Sequence, residues 1–269
     1  MPRLAGPAPQ SPTQLRPMRL LQFTDTHLFA APDRQLRGIT TLASLEACLA
    51  HARRRHLPAE AVVVTGDLVQ DEPEGYDALG ALLGDLGAPV LLVPGNHDRP
   101  DALRRRFGRQ PFHVSGSLAL ARWTVVMLDT WSADSARGEG RLGAAALRSL
   151  EAQLDAARDR HVVVCLHHPP MSMDTAGLDS LGLVDGSDLL DVIGRHGNVR
   201  GVAWGHAHQA LDLFRGHVRF MCTPSTCFQF KPRVDGFVTD DRPPGYRIID
   251  LGDDGGIASE VAWLEGYHA

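Results

Sequence analysis

Cysteine is scarce: Cys48, Cys165, Cys222 and Cys227 are the only four in 269 residues, and no two of them form a Cys-x-x-Cys pair. That spacing excludes the disulfide framework of small secreted domains and a structural zinc site built on thiolates, and it points to reduced cysteines in a cytoplasmic protein. Positive charge is not in excess either. With 27 basic and 32 acidic residues the formal charge is -5, which offers no broad attraction for nucleic-acid phosphates. The short runs Arg53–Arg55 and Arg104–Arg106 read as solvated helix faces. No apolar run approaches the length of a membrane span, and the first 17 residues lack the apolar centre of a signal peptide. Residues 1–17 are therefore expected to form a flexible tail, and 18–269 one domain without internal repeats.

What the chain does have is a globular composition, 43% hydrophobic and 22% charged, and thirteen histidines. Histidine is the commonest side-chain ligand of catalytic transition metals. Short aliphatic runs at Arg19–Phe23, Ala61–Val64, Pro89–Val93 and His161–Leu166 read as buried parallel strands. Helical spacing over Thr41–Arg55 and Pro73–Leu86 gives the opening a βαβαβ order with right-handed crossovers. Further strands are expected at Leu118–Leu120, Trp123–Leu128, Val199–Trp204, Leu211–Phe214, His217–Met221 and Tyr246–Ile249. Helices are expected at Leu142–Arg158 and at Ser187–His196, the latter with Ser187 as N-cap and Gly197 as stop. Residues 169–186 and 231–245 read as long loops over one face.

Polar residues suited to metal recur where these strands end, the edge at which open α/β sheets bind ligands. In order they are Asp25-Thr26-His27, Gly66-Asp67, Gly95-Asn96-His97-Asp98, His167-His168-Pro169 and Gly205-His206-Ala207-His208. Each alone is weak, since a lone Asp after a strand is usually a turn residue, but five in succession are hard to explain that way. In extended chain, residues two apart point the same way, so Asp25 with His27 and His206 with His208 can each converge. The glycines before Asp67, Asn96 and His206 let the backbone approach closely. Imidazole and carboxylate without thiolate suit Mn, Fe, Zn, Co or Ni, and seven donors exceed the needs of one ion. Two ions about 3.5 to 4 Å apart, bridged by a hydroxide and by Asp67 with one oxygen for each, would use them all. His51, His56, His161, His196 and His217 are expected to be ordinary surface residues.

The series D-x-H, G-D, G-N-H-D, H-x-P and G-H-x-H resembles the signature of calcineurin-like metallophosphoesterases over roughly residues 19–210. The resemblance implies an α/β fold, a four-layer α/β/β/α sandwich of two mixed sheets flanked by helices. It implies one ion on Asp25, His27, Asp67 and His208 and a second on Asp67, Asn96, His167 and His206, with His167 preferred to His168 because it lies two before the proline. Iron and manganese are the first expectations, zinc, cobalt and nickel the alternatives. His97 resembles the family's general acid. Asp98 is expected either to orient His97 or to be a turn residue.

Residues 223–232 and Pro244-Gly245-Tyr246-Arg247, with Thr24–Phe29, are similar to bacterial 3',5'-cyclic-AMP phosphodiesterases of this superfamily. This implies a metal-dependent diester hydrolase acting on 3',5'-cyclic AMP, with His27, Asp67, Asn96, His97 and His208 meeting the substrate. Broader phosphodiesters form the first alternative: 2',3'-cyclic nucleotides, glycerophosphodiesters and nucleotide-linked lipids. A protein-binding module on the same fold is the second. Neither nucleic acid nor membrane is expected as a partner, and the oligomeric state is left open, a homodimer included.

Overall fold

The computed structural model describes residues 17–135 and 137–267, so the expected tail lies, apart from Pro17, outside the described residues. The first half runs β1 (Met18–Phe23), a short hairpin of β2 (Gln35–Leu36) and β3 (Ile39–Thr40), α1 (Thr41–Arg55) and β4 (Ala61–Thr65). A 3-10 turn at Pro73–Gly75 then leads into α2 (Tyr76–Leu83), β5 (Val90–Val93), α3 (Pro100–Phe107) and β6 (Phe112–Val114). The second half holds β7 (Gly116–Leu120), β8 (Trp123–Met127), α4 (Gly143–Ala156), β9 (His161–Cys165), α5 (Ala176–Asp179), α6 (Gly186–Arg195), β10 (Val199–Trp204), β11 (Leu211–Arg215) and β12 (Val218–Cys222). A second small hairpin, β13 (Gln229–Phe230) with β14 (Thr239–Asp240), precedes β15 (Gly245–Leu251) and β16 (Ile257–Trp263).

Two six-stranded sheets result, ordered β16-β15-β1-β4-β5-β6 and β11-β12-β10-β9-β8-β7. In the first, β1, β4, β5 and β6 are parallel, while β15 and β16 add antiparallel at one side. The second has parallel β8, β9, β10 and β12 between antiparallel β7 and β11. Alternation along each strand divides the side chains between two layers. Leu21, Phe23, Val62, Val64 and Leu92 meet α1, α2 and α3, whereas Val126, Val162, Val164 and Val202 meet α4 and α6. The intervening residues Leu20, Val63, Leu91, Val125, Val163 and Ala203 form a third core between the sheets. This is the expected four-layer sandwich of mixed sheets.

Several expectations change. The segment read as one helix over 73–86 is a 3-10 turn followed by α2, which ends at Leu83 before Gly84. The helix expected from Ser187 starts at Gly186 with Asp185 at the capping position; the Asp185 carboxylate turns instead to the backbone N–H groups of Leu142 and Gly143. The two long loops contain α5 and β14. Strand β16 was not expected, because only Ile257, Val261 and Trp263 of its seven residues are large and apolar, too thin a run to read as a strand.

One buried cation ties the sheets together. Arg247, on β15 and 1% exposed, reaches into the second sheet, where its Nη2 donates to the carbonyls of Cys222 (2.7 Å) and Leu211 (3.0 Å) and its Nη1 to Asp212 (3.0 Å). Its Nε donates to Thr223 Oγ1, and that hydroxyl donates to Gln22 on β1. Arg247→Met keeps the stem but strands these acceptors, so it is expected to lower the unfolding free energy by about 3–5 kcal/mol. A urea midpoint equal to that of the parent protein would contradict this role.

Candidate metal centre

The five polar segments all follow strands whose carboxyl ends meet at one edge of the sandwich: β1, β4 and β5 of the first sheet and β9 and β10 of the second. Cross-segment backbone bonds hold them, from Asp25 N to Gly66 O (3.0 Å), His27 N to Asp67 O (2.9 Å) and Gly205 N to His167 O (3.2 Å). The pairs converge, but not through extended chain. Asp25, His27, Asp67, His206 and His208 hold φ of +52°, +46°, +49°, +65° and +48°, so each pair turns inward through left-handed backbone. Non-glycine residues occupy that region at a cost and persist there only when their surroundings over-determine it. The close approach also needs glycine: a Cβ on Gly205 would sit 1.9 Å from Thr24 Oγ1, and one on Gly95 would sit 2.2 Å from Asp67 Oδ1.

Two donor groups face each other across Asp67. In the first, His27 Nε2 lies 3.1 Å from His208 Nε2, His208 Nε2 3.5 Å from Asp25 Oδ1, and His27 Nε2 3.8 Å from Asp67 Oδ2. In the second, His167 Nε2 lies 3.1 Å from His206 Nδ1, 3.2 Å from Asn96 Oδ1 and 3.5 Å from Asp67 Oδ2. The Asp67 carboxylate is therefore placed otherwise than expected, where each oxygen was to serve one group. A single oxygen, Oδ2, faces both groups, because Oδ1 accepts the His97 backbone N–H at 2.9 Å.

Outer partners fix the rings. His208 Nδ1 donates to Phe228 O and His167 Nδ1 to Thr65 O, both at 2.7 Å, leaving each Nε2 turned inward. His27 Nδ1 and His206 Nε2 are buried with no hydrogen-bond partner. Lone-pair-bearing nitrogens and oxygens packed this closely fit cations, and the two groups would hold one with Asp25, His27, Asp67 and His208 and one with Asp67, Asn96, His167 and His206. His168 stands outside this set: its Nδ1 meets Thr130 Oγ1 (2.8 Å) and its Nε2 meets Gly138 O (3.0 Å), so both ring nitrogens are engaged.

The charges are strongly mutually dependent. Burial lowers His27 to about 4, and burial with the neighbouring His167 and His168 holds His206 well below its ordinary value. Burial opposes ionisation of Asp67, but His167 and His97 hold its carboxyl well below the usual range. Burial also opposes charge on His167, yet Asp67 outweighs it and raises the ring to about 9.

His97 borders the same centre from a turn rather than from extended chain, its ring 5.3 Å from that of His27. Its Nδ1 lies 2.9 Å from Gln70 Nε2 and 3.1 Å from Asp71 Oδ2. Asp98 does not orient it. Fully buried, the Asp98 carboxylate faces the other way and accepts from the N–H groups of Leu68, Val69 and Gly95 and from Tyr76 Oη. Burial and the Asp67 charge push it up to about 7 despite those donors. Asp71, four residues after Asp67, takes the place expected of Asp98. His27, Asp67, Asn96, His97 and His208, the expected substrate contacts, all line one cavity of about 310 Å³, together with His206.

The family model described as calcineurin-like phosphoesterase matches residues 18–210. The chain belongs to this family. As a calcineurin-like phosphoesterase it is 34% identical to the 3',5'-cyclic adenosine monophosphate phosphodiesterase CpdA of Escherichia coli (strain K12), over 91% of this chain and 89% of that protein. It is 32% identical to a probable cyclic nucleotide phosphodiesterase of a Synechococcus strain, over 92% of this chain and 93% of that one. A dimetal phosphatase from Danio rerio shares the fold, with a TM-score of 0.66 at 14% identity, covering 93% of this chain and all of the other (100%).

The five histidines expected at the surface stay outside the centre, although four of them are less exposed than expected. His51, His56, His161 and His196 are half-buried, His51 against Tyr246 Oη at 2.8 Å, and only His217 is exposed. All four cysteines are free and buried, and burial pushes the Cys165 and Cys227 thiols up to about 12. Among the described residues no helix is long and apolar enough to cross a membrane.

Two outcomes follow for the centre. Asp67→Ala removes the shared donor, so elemental analysis is expected to show both ions lost, whereas Asp25→Ala affects mainly one. Two ions retained by Asp67→Ala would refute the shared position. An ion at His167 has to displace a proton that the ring holds up to pH about 9, so uptake of Mn²⁺ by metal-free protein should release protons. Affinity should then fall roughly tenfold per pH unit below that value. Calorimetric titrations at pH 7 and 8 with equal affinity would contradict the assignment.

Proposed function

We propose that this calcineurin-like phosphoesterase is a dinuclear phosphodiesterase that hydrolyses 3',5'-cyclic AMP to 5'-AMP. The observation that carries the reading is the convergence of both donor groups on Asp67 Oδ2 at the floor of a cavity whose wall includes His97. The names of the curated relatives support the substrate, and the four free, buried thiols support a cytoplasmic setting. Iron and manganese are the ions proposed. Bound ions would neutralise phosphoryl charge and lower the pKa of a nucleophilic water.

The chain's own groups supply the rest. A cyclic diester leaves as a ribose alkoxide, which needs a proton, and His97 is the side chain placed to give one. Burial favours its neutral form, but Asp67 and the hydrogen bond to Asp71 raise its pKa, keeping a proton available. Asp71 thus acts as a positioning residue: it accepts from Nδ1 and leaves Nε2–H for the leaving oxygen. Asn96 meets the second ion position through Oδ1 while its neighbour His97 serves the leaving group.

His97→Ala is expected to keep its metal and to lose about 10² to 10⁴ in turnover of 3',5'-cyclic AMP, with a much smaller loss on a p-nitrophenyl diester, whose leaving group hardly needs a proton. Equal losses on both substrates would rule out the general acid. In Asp71→Asn the alkaline limb of the rate profile should move to lower pH, because a general acid must be protonated and Asp71 raises the His97 pKa. A panel of 3',5'-cyclic AMP, 2',3'-cyclic AMP, a glycerophosphodiester and a monoester tests the substrate. Turnover of the glycerophosphodiester alone would replace the cyclic nucleotide by the broader reading.

A further inference from the structure

The cavity above the metal centre has one wall that the chemistry of phosphate does not require. Phe228 and Phe230 begin it, their rings 4.6 and 5.2 Å from the ring of His208, and Phe237 extends it, 5.6 Å from Phe230. Phe237 is 44% exposed, as is its neighbour Val238, so the outer part of the wall is an uncovered apolar surface at the cavity mouth. Over this wall hangs Arg37, its guanidinium carbon 5.2 Å from the centroids of both Phe228 and Phe230.

Arg37 stands in an unexpected place. It is the first of the two residues that turn β2 into β3, and it holds φ at +50°, followed by Gly38 at +86°. Two-residue turns with both φ positive favour Asn-Gly, and an arginine there is strained. Backbone strain at a cavity is a pointer to function when the side chain has a job that the ordinary residue cannot do. This one carries a donor-only planar group to the aromatic wall, with its Nη1 also 3.4 Å from Thr239 Oγ1.

We propose that Phe228, Phe230 and Phe237 form a nucleobase subsite and that Arg37 makes it selective for purines. The inference rests on the nucleotide reading given above. A base tethered through ribose to a phosphate at Asp67 and His208 reaches this wall first, and stacking on aromatic rings accepts any base. Arg37 adds discrimination. Adenine and guanine carry an N7 acceptor on the imidazole ring that a pyrimidine lacks, and their two rings cover more of the wall, so a purine can stack and still meet the guanidinium with N7, whereas the acceptors of cytosine, O2 and N3, lie on its other edge.

The test is calorimetric titration of the metal-loaded protein with AMP, CMP and ribose 5-phosphate, which share a phosphate and a ribose and differ in the base. AMP is expected to bind about tenfold or more tighter than ribose 5-phosphate, the worth of one stacked base, and several-fold tighter than CMP. Phe237→Ala should shrink the first ratio. Arg37→Asn should bring AMP and CMP together while its melting temperature stays level or rises, because asparagine tolerates the turn's positive φ. Equal binding of AMP and ribose 5-phosphate by the parent protein overturns the subsite. Arg37→Asn with a lowered melting temperature and an unchanged AMP/CMP ratio makes Arg37 a structural strap to Thr239 and overturns its selective role. An AMP preference in a protein that fails to hydrolyse 3',5'-cyclic AMP supports the subsite and sinks the substrate assignment instead.

Discussion

The burial of charge at one edge of the sandwich is the constraint on which the rest of the structure depends. Asp25 and Asp67 lie with His27, His167, His206 and His208 almost entirely out of water. An unpaired carboxylate in such surroundings costs several kcal/mol, and the neighbouring imidazoles cannot all be protonated to offset it. Cations bound at both positions would resolve the conflict. Seen this way, the strained backbone of five ligands and the glycines at 66, 95 and 205 are the conditions under which so many donors can meet within a few ångströms.

Much of this was legible because it is written locally. The aliphatic runs end in polar clusters at the positions where β1, β4, β5, β9 and β10 end, and the donors sit in those clusters. The seven expected donors come together at one edge, and His167 turns its Nε2 inward while both ring nitrogens of His168 are engaged elsewhere. The donors converge through left-handed backbone where extended chain was expected, because sequence spacing does not report φ. Asp98 was misread for a related reason. It adjoins His97 in the chain, but the turn sends the two side chains apart, and Asp71 is brought in by a different loop.

What the sequence hid is tertiary. The function of Arg37 depends on a hairpin folding over Phe228 and Phe230, some 190 residues away in the chain. Residues 223–232 were singled out by resemblance, yet nothing in their order assigned the phenylalanines to a cavity wall. Arg247 was quoted for the same reason, and its acceptors Leu211 O, Asp212, Cys222 O and Thr223 come from segments that only the second sheet brings near. Edge strand β16 escaped because small and polar residues, Ala258, Ser259, Glu260 and Ala262, interrupt its apolar positions.

The donors are divided between the layers: Asp25, His27, Asp67 and Asn96 ride on the first sheet and His167, His206 and His208 on the second. A slide of one sheet past the other by a single residue, about 3.3 Å, would part every cross-sheet donor pair. Ions bound at the two positions would therefore act as rivets against shear. The side chains gathered for the proposed reaction would also set the rigid-body alignment of the two halves, and cations at the cavity floor would hold the interface far from it in register.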